Sequence, residues 1–124
     1  MRDNRPTKIR SAVILTTGYV VSDVIKKVEE YNELVLYHYF TKGSLTSLNI
    51  KVESSIDGVN YVQETNMSIS GADITLNKAV YNTTETGNFK IAIPISANYV
   101  RVSYQGVGTV TSSSLESHAY LHEV

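Results

Sequence analysis

Apolar and polar side chains alternate along several short segments of this chain, and turn residues separate these segments. Leu48 to Glu53 alternates strictly, and Phe89 to Ile95 and Asn98 to Tyr104 repeat the pattern. A period of two places the apolar side chains on one face of a β-strand, so each segment predicts a strand with one face on the core. Glu33 to Thr41 is almost continuously apolar and aromatic, which predicts a central strand covered on both faces.

Turn residues indicate where these strands end. Asp57-Gly58 is a strong hairpin signal, because both residues tolerate the backbone angles of tight turns, and we expect the return strand at about Asn60 to Thr65. Ser68 to Gly71 is predicted to be a loop, and Ile74 to Tyr81 a weaker strand. Pro94 donates no backbone hydrogen bond, so we expect it at a strand end or on an edge.

Both ends of the chain also predict strands. Ala12 to Thr17 predicts a first strand that turns at Gly18, and Gln105 to Thr109 predicts a turn before the last strand. In that last segment, Ser113 to Val124, alternate residues face opposite ways. One face carries Leu115, Ser117, Ala119 and Leu121, and the other carries Glu116, His118, Tyr120 and His122.

Residues 22–32 are ambiguous. A short helix capped by Ser22 or Asp23 would place Val24, Ile25, Val28 and Tyr31 at helical spacing. The short β-branched pieces instead favour a strand followed by a turn. Either way we expect about eight strands, with turn signals roughly every 8 to 12 residues. The chain therefore predicts an all-β fold, a single antiparallel two-sheet sandwich of jelly-roll or Greek-key topology.

Composition agrees with this fold and excludes several kinds of site. The chain has 124 residues, which suits one domain, and it contains 25 Val and Ile against 6 Ala. Because there is no Cys, a disulfide framework, a thiol nucleophile and Cys-based zinc or iron–sulfur sites are excluded. No apolar run approaches the roughly 18 to 20 residues of a membrane-spanning helix, so we expect no membrane partner.

Charge is divided unevenly along the chain. Residues 1–10 carry +3, and residues 11–124 carry −4 from 7 basic and 11 acidic side chains. We predict a basic N-terminal arm, residues 1–10, on a sandwich domain that spans residues 11–124. Such an arm docks on an acidic neighbour by long-range attraction, with a solvated tail as the alternative. The predicted docking residues are Arg2, Arg5, Lys8 and Arg10. Nucleic acid ranks last among the partners, because the body is acidic.

No catalytic or metal-binding constellation is evident. His118 and His122 lie four residues apart on the last strand, about 13 Å, which is too far for one zinc ion. Asp57, Asn60 and Glu64 could supply oxygens to calcium, but a turn already explains Asp57. None of the three histidines lies beside a sequence motif of a catalytic Ser or Asp, and Gly-x-Ser-x-Gly is absent. We therefore predict no enzyme, no cofactor and no metal site.

Tyrosine is the residue type with most potential for binding. Four tyrosines fall at strand positions where some are expected to be exposed, namely Tyr61, Tyr99, Tyr104 and Tyr120. An exposed ring can stack on a sugar or anchor a protein interface, since it offers a large amphipathic face at low entropy cost. Core packing is the alternative for each, because the chain has no Trp and only 2 Phe.

The order of these pieces resembles a known group of proteins. Tyr31 to Tyr37 leads to a turn at Gly43-Ser44. Leu48 to Tyr61 then forms a hairpin that consists of a strand, the turn sequence S-x-D-G and an aromatic residue, and Tyr99 to Tyr104 precedes the last strand. This order resembles small β-sandwich virion proteins of tailed bacteriophages, found as head auxiliary or decoration proteins and in connector and fibre parts. The resemblance covers roughly three quarters of the chain and rests on turn and strand patterns.

The resemblance implies a non-enzymatic structural protein of a bacteriophage virion, most of all a capsid decoration or other head-associated component. Its expected partners are other virion proteins, such as major capsid or connector proteins, and further copies of itself. Deleting residues 1–10 should then weaken incorporation into the particle and leave the fold intact. Similar hairpins occur in galactose-binding-like carbohydrate modules, so the alternative is a module that binds bacterial surface glycans.

Overall fold

The fold is a sandwich of two antiparallel sheets with a separate two-stranded ribbon. The computed structural model describes residues 5–26 and 28–123. Within these residues the strands are β1 (Arg5–Val13), β2 (Val20–Val21), β3 (Ile25–Lys26), β4 (Glu33–Thr41), β5 (Leu45–Ser55), β6 (Val62–Gln63), β7 (Thr65–Ser70), β8 (Asp73–Lys78), β9 (Tyr81–Thr83), β10 (Phe89–Pro94), β11 (Tyr99–Gly108) and β12 (Ser114–His122).

One sheet has the strand order β1-β12-β4-β10 and is called sheet A here. The second, sheet B, has the order β2-β11-β5-β6, with β3 also paired to β11 and β9 to β5. β7 and β8 pair only with each other in the described ladders and form the ribbon. The predicted all-β antiparallel sandwich is confirmed, whereas jelly-roll or Greek-key topology stays a prediction. Four strands have two or three residues, which explains why twelve are found where about eight were expected.

Alternate residues of the central strands fill the space between the sheets. β4 and β12 face inward from sheet A, and β5 and β11 face inward from sheet B, as the period of two requires. The buried side chains include Leu34, Leu36, Phe40, Leu48, Ile50, Val52, Val100, Val102, Leu115, Ala119 and Leu121. The predicted alternation of the last strand is thus confirmed, and the face that carries Leu115, Ser117, Ala119 and Leu121 is the buried one.

Three predicted segments differ from the structure. The first strand is Arg5–Val13 and not Ala12 to Thr17, because the N-terminal segment pairs with the edge of β12. The strand β7 extends to Ser70, so only the residues at the ribbon tip form the predicted loop. β11 continues to Gly108 and includes most of the predicted turn at Gln105 to Thr109, because β5 supplies a pairing partner along its whole length.

The ambiguous segment forms a two-residue strand, β3, and then a 3₁₀-helix over Val28–Glu30. The hairpin at Asp57-Gly58 is confirmed, with β6 as its return strand. The Oδ1 of Asp57 accepts the backbone N–H groups of Val59 and Asn60, each at 2.8 Å. These hydrogen bonds hold the pKa of the Asp57 carboxyl well below its usual range, and Gly58 has a φ of 79°. Pro94 ends β10 on the edge of sheet A, as predicted.

Candidate functional site

The predicted basic arm is largely a strand of sheet A. Arg2 lies outside the described residues, and Arg5 begins β1. Lys8 is exposed, whereas Arg10 is half-buried and donates from Nε to the Leu115 carbonyl at 3.0 Å. The predicted boundary between residues 10 and 11 therefore falls inside β1, and Arg10 is engaged by the body of the protein itself.

Tyr104 is not available as a surface aromatic. Its side chain is 0% exposed and belongs to the core cluster, where its ring meets the His38 ring edge-on with centroids 5.9 Å apart. Burial raises the pKa of Tyr104 to about 12, so the phenol is neutral at physiological pH. The alternation placed this residue on the inner face of β11, and the core alternative was correct for it.

Tyr61 and Tyr99 support the hairpin that follows β5. The guanidinium carbon of Arg101 lies 3.9 Å from the Tyr61 ring centre, and Arg101 Nε is 3.1 Å from Glu53 Oε1. A Cβ placed on Gly58 would come within 3.2 Å of the Tyr99 ring. Both residues are partly buried. The structure thus brings these two tyrosines near the hairpin and away from Tyr120.

Tyr120 belongs to an aromatic surface on the outer side of sheet A. An open depression of about 370 Å³ there is lined by Pro6, Tyr37, Tyr39, His118 and Tyr120, which we call the aromatic face. Strand register brings them together, since β12 pairs His118 with Tyr37 on β4 and β1 pairs Pro6 with Tyr120. Sequence reasoning singled out only Tyr120, although Tyr37 and Tyr39 occupy alternate positions of β4. The prediction that Glu33 to Thr41 is covered on both faces is wrong, because no layer covers the outer side of β4 among the described residues and Tyr39 is exposed there.

The rings of the aromatic face contact one another. Tyr37 and Tyr120 meet edge-on with centroids 6.5 Å apart, and Tyr39 and His118 lie 5.3 Å apart. The Tyr120 ring stacks on His122 at 5.1 Å. These contacts hold the rings in position, because each ring is supported by a neighbour on the next or the same strand.

Two carboxylate–imidazole pairs flank the aromatic face. The Nε2 of His118 lies 2.5 Å from Glu116 Oε2, and the Nε2 of His122 lies 2.5 Å from Glu33 Oε1. The two histidines therefore have separate partners. No group of three or more possible metal ligands occurs among residues 5–26 and 28–123.

A third histidine is buried between the sheets. His38 is fully enclosed, and its Nδ1 lies 2.9 Å from the Ser117 hydroxyl. Burial lowers the pKa of His38 to about 4, because a charged imidazolium is costly away from water. Its ring also packs at 4.8 Å against Phe89, so His38 is a neutral core residue.

The ribbon has one apolar and one polar face. Every residue of β7 and β8 is exposed, and the register places Met67 opposite Leu76 and Ile69 opposite Ile74. These four side chains are 62–70% exposed and form the apolar ribbon face. Sequence reasoning missed β7, although Met67 and Ile69 alternate with polar residues just before Gly71.

The base of the ribbon is tied to sheet B. The backbone N–H of Glu64 donates to Val52 on β5 at 2.8 Å, and Ala79 donates to the Glu64 carbonyl at 2.8 Å. The Gln63 side chain donates to the Ala79 carbonyl at 2.9 Å. The ribbon is therefore fixed at one end and exposes its two faces beyond that point.

Comparison of the chain with protein-family models, with curated proteins and with solved structures finds no match. Over residues 5–26 and 28–123, no helix has the length and apolar character required to cross a membrane.

Proposed function

We propose that this protein is a non-enzymatic structural component of a bacteriophage virion and that it assembles through the apolar ribbon face. The virion assignment rests on the resemblance of its strand and turn order, with a capsid decoration or other head-associated role preferred. The assembly step rests on one observation, the four apolar side chains exposed together on the ribbon. Large exposed apolar patches on soluble proteins mark interaction sites.

The occupant we assign to the apolar ribbon face is a second copy of the chain. A two-stranded ribbon is marginally stable by itself, so its exposed face gains most from a covering layer. A two-fold axis between two ribbons lays each apolar pair against an apolar pair of the other copy, which is an isologous contact.

The available area agrees with this occupant. Exposed fractions of 62–70% correspond to roughly 120 Å² for each of the four side chains, so two stacked ribbons remove about 1,000 Å² from water, the lower bound for a specific interface. The contact is therefore large enough for a dimer and small enough to depend on every apolar side chain in it.

Two neighbouring substitutions test the assembly step. Ile69→Lys places a charge on the apolar ribbon face, and the matched control Ser68→Lys places the same charge on the polar face. We expect the unaltered chain and Ser68→Lys to form a dimer or larger oligomer by sedimentation velocity from micromolar to millimolar concentration, and Ile69→Lys to be monomeric. A monomeric unaltered chain, or equal masses for the two variants, would contradict the ribbon assignment.

The virion assignment has its own test. Mass spectrometry of purified particles encoded by the same genome should detect the chain at a stoichiometric level. Its absence from the particles would overturn the assignment, whatever the oligomeric state in solution. Deleting residues 1–10 does not test it, because that deletion removes most of β1 from sheet A.

A further inference from the structure

We propose that the aromatic face of sheet A binds a neutral carbohydrate. The site is distinct from the apolar ribbon face and shares only Tyr120 with the tyrosines predicted from the sequence. Its residues come from three neighbouring strands, β1, β12 and β4, so their spacing is fixed by backbone hydrogen bonds. A site built on strands holds its side chains more precisely than one built on loops.

The aromatic rings supply a stacking surface. Tyr39 is 44% exposed, while Tyr37, His118 and Tyr120 are partly exposed around the same depression. Sugar rings carry an apolar face of C–H groups, and an aromatic ring covers that face with little loss of side-chain entropy. The depression of about 370 Å³ falls in the range of small-molecule sites, roughly 300–1,000 Å³, and is open enough for a chain of sugars to cross it.

The two carboxylate–imidazole pairs supply hydrogen bonds beside the rings. Glu116 engages His118 through one carboxylate oxygen, and Glu33 engages His122 in the same way. An ionised carboxylate has about four acceptor sites, so each pair retains acceptor capacity for sugar hydroxyls. Hydroxyl to carboxylate bonds are short and strong, which makes these pairs suitable for fixing the orientation of a neutral polyol.

The charges around the aromatic face favour a neutral ligand over an anionic one. Glu33 and Glu116 lie at its margins on β4 and β12. Two lysines are also near it: Lys8 on β1 is exposed and pairs with His118 in the strand register, and Lys90 on β10 places its Nζ 5.9 Å from the Tyr37 ring centre. The mixture of signs forms no basic patch of the kind that binds phosphate or nucleic acid.

A glycan array tests the proposal, with neutral oligosaccharides of glucose, galactose, mannose, rhamnose and N-acetylglucosamine as probes. We expect the chain to bind at least one probe series. For that series, Tyr39→Ala and Glu116→Gln should weaken binding at least tenfold by calorimetry. The matched control, Tyr61→Ala, removes a tyrosine near the other sheet and should leave the affinity within about twofold. Circular dichroism verifies that each variant is folded.

Two results would overturn the proposal: no binding to any neutral probe, or binding that Tyr39→Ala and Glu116→Gln leave unchanged. A change in oligomeric mass caused by Tyr39→Ala without sugar binding would assign the face to protein contacts and overturn it too. The Ile69→Lys variant separates this site from the assembly step. It should keep full sugar affinity per chain even where it abolishes oligomers.

Discussion

The guanidinium carbon of Arg10 lies 5.3 Å from the centre of the Tyr104 ring, so a cation on the edge strand β1 contacts a core side chain of the opposite sheet. The same guanidinium donates to three backbone carbonyls, those of Leu115, Val13 and Ile14, at 3.0, 3.3 and 3.0 Å. Arg10 thus connects the edge strand of sheet A to the core of sheet B.

Arg10→Ala should destabilise the fold by about 2 kcal/mol, because hydrogen bonds from a charged donor and a cation–π contact are lost together. The control is Lys8→Ala on the same strand, whose exposed side chain should change stability by less than about 0.5 kcal/mol. Urea unfolding at constant m-value measures both changes. Equal urea midpoints for the two variants would contradict this role and would favour Arg10 as a free docking residue.

The sequence predicts the central strands because their apolar side chains lie on the face that packs in the core. The predicted bounds of β4 match the observed ones, and the predicted alternation of β12 agrees with its burial. Arg10 could not be placed in this way. The register of β1 against β12 shifts between Lys8 and Arg10, and such a bulge changes which face a side chain occupies without any mark in the composition.

The two surfaces were predictable to different degrees. The aromatic face depends on which strands are neighbours, and strand order in a sandwich is not a local property of the sequence. Tyr37 and Tyr120 therefore could not be paired from spacing alone. The first ribbon strand could be predicted from the local sequence, because Met67 and Ile69 alternate with polar residues before Gly71. Those polar residues instead favoured a loop in the sequence analysis.

Gly43 and Gly71 separate the cost of backbone strain from the cost of a steric clash. Both have a left-handed φ, 58° and 61°, but a Cβ on Gly43 would lie 2.4 Å from the Ser112 carbonyl oxygen, whereas none of the described atoms lies within 4 Å of one on Gly71. Gly71→Ala should cost about 1–2 kcal/mol, the penalty of the left-handed backbone alone. Gly43→Ala should cost at least about 2 kcal/mol more, measured by thermal unfolding. Similar values would show that the turn at Gly43 relaxes freely.

His38 should make the fold sensitive to acid between pH 6.5 and 4. The unfolded chain binds a proton at the usual His pKa of 6.5, but burial lowers the pKa of His38 in the fold to about 4. The contribution of neutral His38 to the free energy of unfolding is therefore fully present above pH 6.5. It is lost as the pH falls towards 4, and the total loss is about 3 kcal/mol.

His38→Gln removes this titration and should flatten the dependence of unfolding free energy on pH in that window, whatever its effect at neutral pH. Urea unfolding at several pH values measures both slopes. Parallel curves for the two proteins would mean that His38 is protonated at no extra cost in the fold.

The backbone of the ribbon should gain protection from hydrogen exchange as the protein concentration rises. In a monomer, the amides of β7 and β8 lie in an exposed two-stranded ribbon, where local opening costs little free energy. When a second copy covers Met67 and Ile69, opening must also separate the copies. Exchange should then slow in β7 and β8 and stay constant in β4, which lies inside sheet A. In Ile69→Lys the ribbon should exchange rapidly at every concentration, and slow ribbon exchange in that variant would show that the ribbon is stabilised from within its own chain.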